Sequence, residues 1–234
     1  MNPELIATGA VWYIVFLLSL TCHEASHALV AKWGGDPTAF HSGQVTLNPI
    51  PHMRREPFGT IVVPLLSYAI GGWMIGWGSA PYDPAWQYNH PRRAAWMALA
   101  GPLANIALML VAVAGIHVGI FTGVLAAPES ARFTHVVAAQ SRGFGEGLAM
   151  FLSVLFSLNL LLAAFNLLPV PPLDGNTAVG LLLSEGAARR FAALSHDRAF
   201  SLIGLLVGWK LFDYIFSPLF RLALNLLYPG LGYH

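Results

Sequence analysis

Residues 12–31, WYIVFLLSLTCHEASHALVA, decide the fold because they form an apolar run that could span a bilayer, interrupted by one ionisable cluster. The apolar character extends from Leu5 to Ala31, which exceeds the roughly 20 residues that a helix needs to cross the hydrocarbon core. Ionisable side chains in such a helix cost about 3 kcal/mol each, so they are rare there without a function. The cluster of His23, Glu24 and His27 therefore indicates a functional site inside a membrane helix.

The composition of the whole chain is that of an integral membrane protein. Its 234 residues are 56% hydrophobic and only 10% charged, with a mean hydropathy of +0.61, whereas a soluble domain carries about 25% charged residues. The formal net charge of +1 offers no basic surface, so no nucleic-acid partner is expected. The length and the lack of repeats predict a single integral-membrane domain over residues 1–234.

Further apolar segments predict an all-α polytopic protein, a bundle of about five to six transmembrane helices. They follow the first at about residues 58–77, 94–116, 148–168 and 200–216, with a short apolar helix near residues 176–183. Between the first two, residues 43–48 (GQVTLN) alternate in polarity between Pro- and Gly-rich flanks, which predicts a small membrane-associated β element near residues 36–56. Lys and Arg occur in every loop, so the membrane orientation stays open.

The spacing of the two histidines is suited to a metal. Positions i and i+4 share a helix face, so His23 and His27 can both direct ring nitrogens at one ion. The HExxH pattern is typical of zinc hydrolases, in which zinc lowers the pKa of water to about 7 and polarises the scissile carbonyl. Glu24 would accept the water proton and pass it to the leaving amine. The alternative, a polar contact within the bundle, is disfavoured by the apolar setting.

Catalytic zinc usually has three protein ligands, so one more must come from outside the first helix. The best candidate is Asp174, which follows the proline cluster in the segment 166–175, NLLPVPPLDG. Prolines free backbone carbonyls at membrane depth, and such backbone is tolerated only where it is buried in protein or lines a wet cavity. Asp174 could instead cap the helix that begins near Gly175, and the two roles can coexist.

Other polar residues have open roles at this stage. Asn105 lies in the third apolar segment, where it either joins two helices or bonds the substrate backbone or a developing oxyanion. His52 is either an auxiliary contact to metal or substrate, or an ordinary interfacial histidine. Because a transmembrane helix must become extended before it can be cleaved, the strand around Val45 and Thr46 offers an edge for substrate binding.

Three motifs together resemble the site-2 protease family of zinc intramembrane metalloproteases. They are HEASH at 23–27, AGPLAN at 100–105 and FNLLPVPPLDG at 165–175, and residues 43–49 resemble the membrane-associated β element of that family. No PDZ-like domain is visible in the sequence, so the resemblance is to the short prokaryotic branch. The order and spacing of the motifs make chance similarity an inadequate explanation.

The resemblance implies both a site and an activity. His23, His27 and Asp174 would bind one Zn²⁺ per chain, Glu24 would be the catalytic base, and Asn105 would act on the substrate. The implied activity is endoproteolysis of transmembrane protein substrates within or near their membrane segment, known as regulated intramembrane proteolysis. The enzyme would be a multi-pass protein in the lipid bilayer of a prokaryotic cell.

Functions of other classes stay open from the sequence. A metal-ion transporter could pass an ion between the histidines and Asp174, although transport needs polar residues along a path and here they concentrate at one depth. A catalytically silent relative could bind other membrane proteins. A membrane protease of prenylated tails would share HExxH but would need a different third ligand. The natural substrate and the oligomeric state are not specified by the sequence.

Overall fold

The computed structural model describes residues 3–194 and 198–233, and helices dominate this part of the chain. The elements in chain order are α1 (Pro3–Trp33), α2 (Thr38–His41), α3 (Pro49–Arg55), a π-helical turn (Phe58–Val62), α4 (Val63–Gly71), α5 (Pro84–Asn89), α6 (Pro91–Phe121), β1 (Leu125–Ala126), β2 (Ala138–Ala139), α7 (Phe144–Asn166), α8 (Asp174–Ala178), a 3₁₀ turn (Val179–Leu181), α9 (Glu185–Leu194) and α10 (Arg198–Leu227).

The predicted class, an all-α membrane protein with a small β element, is confirmed. Within the described residues, α1, α6 and α7 are long and apolar enough to cross a membrane. Helix α10 is bent by 47° between Phe212 and Tyr214 and gives a fourth span if its two halves cross as one. By length and composition, fewer helices therefore qualify as spans than the five to six that the sequence predicts.

The second predicted span is short because its helix ends early. Gly72 adopts a left-handed conformation, φ +72°, and its N–H bonds the Tyr68 carbonyl, which terminates α4. Residues 74–83 then continue without regular secondary structure. The helical stretch Phe58–Gly71 is apolar but shorter than a membrane crossing requires.

The predicted location of the β element is wrong. The two-stranded antiparallel sheet pairs β1 with β2, between α6 and α7, whereas residues 43–48 form turns and bends. Local side-chain bonds explain the difference. The Asn48 side chain accepts from the Ile50 N–H at the start of α3, and the Thr46 hydroxyl accepts from the Asn48 N–H. Such bonds compete with a strand ladder for the same backbone groups.

The core lies where α1, α6 and α7 pack together, with the C-terminal part of α10 against them. Phe16, Ile116 and Phe156 are almost fully buried in it. The Phe156 ring meets the Phe220 ring edge-on, with centroids 6.4 Å apart. The three long helices are thereby packed together next to the part of α1 that precedes its ionisable residues.

The C-terminal end of α1 is tied to the loops that precede α6. The Gly34 carbonyl accepts from Trp86 Nε1 at 3.1 Å, and the buried Asp36 carboxylate accepts from the Asp83 N–H at 2.8 Å and from Thr38. Burial alone would raise the pKa of Asp36, but these hydrogen bonds outweigh it and lower that pKa below its usual value. An ionised Asp36 therefore fastens this end of α1 at neutral pH.

Replacement of a core aromatic should reveal how much this packing stabilises the fold. Phe156→Ala should lower the free energy of unfolding by about 3–5 kcal/mol, because it leaves a cavity between α7 and α10. The matched control is Phe121→Ala, since Phe121 is 92% exposed at the end of α6 and should change stability little. Unfolding in mixed detergent micelles measures both variants. Equal effects would contradict the placement of the core.

Candidate metal centre

Two histidine rings lie one turn apart on α1 and face the same point. Their Nε2 atoms are 3.0 Å apart, and the ring planes are nearly perpendicular at 85°. His23 and His27 are both buried. The shared helix face that the i, i+4 spacing predicts is therefore realised, with α6 covering it.

The opposite ring nitrogens determine which tautomer each histidine adopts. His27 Nδ1 lies 2.7 Å from the Met97 carbonyl oxygen, which can only accept, so Nδ1 carries the hydrogen. His23 Nδ1 lies 2.6 Å from Asn105 Oδ1 and donates in the same way. In a neutral imidazole this leaves the lone pair on Nε2. Both lone pairs are therefore directed at the space between the rings.

Asp174 completes a cluster of three acceptors. Its Oδ2 lies 3.1 Å from His23 Nε2 and 3.3 Å from His27 Nε2, and no hydrogen-bond donor reaches this buried oxygen within the described chain. One ligand atom from each residue fits within 4.8 Å of the others. Three converging acceptors repel one another unless a cation lies between them, so the residues fit a metal ion.

The local sequence around Asp174 explains how a carboxylate reaches the histidines. Asp174 is the first residue of α8, and no side chain caps this helix, so the N-cap role considered from the sequence is not adopted. A Cβ on Gly175 would collide with the Leu167 and Leu168 carbonyl groups at the end of α7. Glycine at 175 therefore lets the first turn of α8 press against α7 and present Asp174 to the cluster.

A second glycine leaves room on the α6 side. A Cβ on Gly101 would overlap Nε2 of both His23 and His27. Gly101 lies inside α6 and is followed by Pro102, so the helix backbone without a side chain passes the two Nε2 atoms here. The space in front of the two Nε2 atoms thus exists because residue 101 has no side chain.

Glu24 lies beside the cluster on α1 and is buried. None of the described residues makes a hydrogen bond to its carboxylate, so its oxygens are available to other partners. A Cβ on Gly78 would lie 2.9 Å from Glu24 Cγ, which shows that the irregular segment 74–83 runs closely over this side chain. The structure therefore brings a free carboxylate next to the candidate metal site.

Asn105 is fully buried, and both ends of its amide are engaged. Oδ1 accepts from His23, while Nδ2 lies 2.8 Å from Asn159 Oδ1 and 3.4 Å from the Ser19 carbonyl. The contact with substrate or oxyanion that the motif favours would require one of these bonds to break. The geometry makes Asn105 a hydrogen-bond partner of His23 and connects α6 with α1 and α7, and its contact with substrate stays a prediction.

The remaining predicted site residues lie outside this cluster. His52 is buried rather than interfacial, its Nε2 donates to the Thr46 carbonyl, and it is not part of the metal-capable group within the described residues. Val45 and Thr46 are half-buried in a bend, so the strand edge on which their substrate-binding role depended is absent.

Sequence reasoning missed Asn159, whose amide contacts Asn105 and Ser19 in the buried interior. A signal was present, since Asn159 interrupts the apolar run of α7 just as Asn105 interrupts that of α6. The bond from His27 to the Met97 carbonyl could not be predicted in this way, because every residue type has a backbone carbonyl.

The fold and the cluster define a membrane protein with a candidate metal centre. The model of Peptidase family M50 matches residues 11–209, so the chain belongs to this family, the site-2 proteases, as its motifs predict. Family membership also confirms zinc as the cofactor. The protein is a multi-pass protein of a prokaryotic membrane, also as predicted.

Two relatives illustrate the similarity. "Putative zinc metalloprotease YwhC" of Bacillus subtilis (strain 168) is 34% identical over 225 residues, which is 88% of this chain and 92% of the relative. "Putative zinc metalloprotease Rip2" of Mycobacterium tuberculosis (strain H37Rv) is 33% identical over 193 residues, which is 82% of this chain and 63% of the relative. No solved structure matches the chain significantly.

The glycine in α6 offers a direct test of the metal centre. Gly101→Ala should abolish stoichiometric zinc binding, because the new methyl group would occupy the space in front of both Nε2 atoms. The control is Gly115→Ala in the same helix, whose methyl group would meet only the movable end of the Leu152 side chain. Zinc per protein is measured after purification in zinc-containing buffer. Full zinc content in the Gly101 variant would contradict this geometry.

Proposed function

We propose that this protein is a zinc endopeptidase that cleaves membrane-protein substrates within or near their transmembrane segments. The observation that carries the proposal is the convergence of His23, His27 and Asp174 beside Glu24, whose carboxylate is bonded by none of the described residues. The histidines and Glu24 lie in a helix long enough to span the membrane. Membership of a peptidase family supports the hydrolytic reaction, and the apolar setting of α1 supports its location in the bilayer.

The chain's own side chains would hold the metal. His23 and His27 would bind it through Nε2, and Asp174 through its carboxylate, since these atoms already converge without donors between them. Three protein ligands leave one position open, which is the arrangement of catalytic zinc sites. When bound, zinc supplies the Lewis acidity that activates water and polarises a carbonyl.

Glu24 would move the protons. None of the described residues bonds its carboxylate, so it can accept a proton from the attacking water and later deliver it to the nitrogen of the leaving amine. Burial and the close passage of the segment 74–83 would keep bulk water away from this exchange. The substrate would have to be extended locally, because the amides of a helix are already bonded internally.

The depth of the site fits a substrate in the membrane. His27 lies five residues before Lys32, so the two histidines lie roughly 7–14 Å along α1 from that end. The side chain of Asp174 keeps 21% of its surface exposed, so the cluster is accessible from the α8 side. Water and an unwound peptide would meet there, short of the bilayer centre.

The alternatives are less well supported. Transport would require polar groups along a route through the bundle. The buried polar residues around the cluster instead bond one another, as Asn105 and Asn159 do. A catalytically silent relative has no need of an unbonded Glu24 next to a complete set of ligands.

Removal of the general base should separate binding from catalysis. Glu24→Gln should retain zinc but cleave a single-span membrane substrate about 10²–10⁴-fold more slowly. His23→Ala and Asp174→Ala should lose both zinc and cleavage. Glu146→Gln is the matched control, because Glu146 is an exposed glutamate at the far end of α7 and should behave like the unmodified protein.

Each outcome of this comparison has a distinct meaning. Unchanged cleavage by Glu24→Gln would contradict its role as base. A purified protein without zinc affinity would contradict the ligand assignment. Zinc binding without cleavage of several substrates would favour the silent relative, and zinc flux into proteoliposomes would favour a transporter.

The location of the cut tests the intramembrane part of the proposal. Mass spectrometry of the products should place the cleaved bond within or near the apolar segment of the substrate. A helix-weakening Gly pair introduced next to that bond should increase cleavage, because the peptide must become extended first. The same pair placed in the substrate's soluble tail is the control. Cleavage confined to the tail would overturn intramembrane proteolysis.

A further inference from the structure

We propose that Asn159 on α7 is a positioning residue of the metal centre, which sets the tautomer of His23 through Asn105. The inference rests on the proposed zinc-binding role of His23. Asn159 is fully buried and lies outside the family motifs of the chain. Within the described chain no hydrogen bond joins it directly to the candidate metal ligands or the proposed base, so its effect would be transmitted through Asn105.

The contacts of Asn159 form the start of a chain. Its Nδ2 lies 2.8 Å from the Leu155 carbonyl oxygen and 2.9 Å from Ser19 Oγ, and its Oδ1 lies 2.8 Å from Asn105 Nδ2. Asn105 Oδ1 in turn lies 2.6 Å from His23 Nδ1. Every polar atom of the two amides therefore has a partner, and the chain connects α7, α6 and α1.

The direction of these bonds is fixed at the Leu155 end. A backbone carbonyl only accepts, so the amide of Asn159 must turn its NH₂ group to Leu155 and its oxygen to Asn105. Asn105 must then turn its NH₂ group to Asn159, which leaves its oxygen facing His23. The Ser19 carbonyl, 3.4 Å from Asn105 Nδ2, favours the same orientation. His23 therefore donates from Nδ1 and keeps its lone pair on Nε2.

The two histidines differ in how firmly their partners fix the tautomer with the hydrogen on Nδ1. His27 donates to the Met97 backbone carbonyl, which cannot reverse its polarity. His23 donates to a side-chain amide, which would present a donor instead if it rotated by 180°. The proton of His23 would then move to Nε2, the atom that faces His27 and Asp174, and the nitrogen could no longer bind a cation. Asn159 prevents this rotation.

Zinc affinity measures this role without reference to proteolysis. Asn159→Leu has a similar shape but no amide, and it should weaken zinc binding about 10–100-fold, the usual effect of removing an outer partner of a metal-bound histidine. Affinity is measured by competition with a chromophoric chelator, and the absorption spectrum of the Co²⁺-loaded protein reports the ligand geometry. Asn159→Ala is measured in parallel, in case the leucine variant does not fold.

The matched control is Ser157→Ala. Ser157 is fully buried two residues away on the same helix, and its hydroxyl has no hydrogen-bond partner within the described chain. This change should leave the zinc affinity and the Co²⁺ spectrum as they are. If it weakened zinc binding as much as Asn159→Leu, a general disturbance of α7 would explain the result and the proposal would be overturned.

A second variant of Asn105 distinguishes an effect passed on by hydrogen bonds from an effect of side-chain packing. In Asn105→Asp both side-chain oxygens accept, so His23 keeps its partner whichever way the carboxylate turns. Adding Asn159→Leu to this variant should leave zinc affinity unchanged within about twofold, the usual limit of additivity, or raise it. An equal loss of affinity in both backgrounds would show that Asn159 acts only as part of the packing.

The proposed function and this inference can fail separately. If the unmodified chain binds zinc and His23→Ala does not, the ligand assignment stands, and the Asn159 variants then decide the inference. If His23→Ala binds zinc as well as the unmodified chain, the ligand assignment itself fails. An Asn159→Leu protein that is folded, with zinc affinity and Co²⁺ spectrum unchanged, would overturn the inference alone.

Discussion

The rest of the structure depends on three electron-pair donors held together in an apolar interior. Two imidazole nitrogens and one carboxylate oxygen lie about 3 Å from one another, and no hydrogen-bond donor intervenes. Such a set favours a bound cation, because the converging lone pairs repel one another in a largely buried site. Zinc is the cofactor that family membership supports, and we propose that it binds here. The elements around the cluster are best understood as the means of keeping these donors in place.

Close backbone packing supplies the space. Gly101 lets α6 pass in front of the histidines, and Gly175 lets α8 press against the end of α7. Hydrogen bonds from the opposite ring nitrogens then fix both tautomers. The candidate ligands come from elements about 150 residues apart in the sequence, but each reaches the site through contacts among α1, α6, α7 and α8. Stability and function therefore share the same interface.

The shared helix face of the two histidines was predictable from their spacing in the sequence, and so was the fold class. HExxH and the acidic residue after the prolines pointed to four residues that the structure brings close together, because ionisable groups are conspicuous in apolar segments. The β element near Val45 and Thr46 was misplaced because side-chain bonds of Thr46 and Asn48 hold that stretch in turns. The support of His23 by Asn105 and Asn159 was not predicted. The orientation of these two side-chain amides depends on a backbone carbonyl, and every residue type has one.

The short apolar stretch Phe58–Gly71 has a consequence for the lipid around the protein. It packs along α1, where Tyr13 bonds the Thr60 carbonyl and Tyr68 bonds the Leu5 carbonyl. Its length is about 20 Å, against about 30 Å of hydrocarbon in a typical bilayer. Membranes adjust to such a mismatch by thinning locally. We therefore expect a thinner bilayer beside α1. A substrate helix at this position would be surrounded by less hydrocarbon, which favours the helical form.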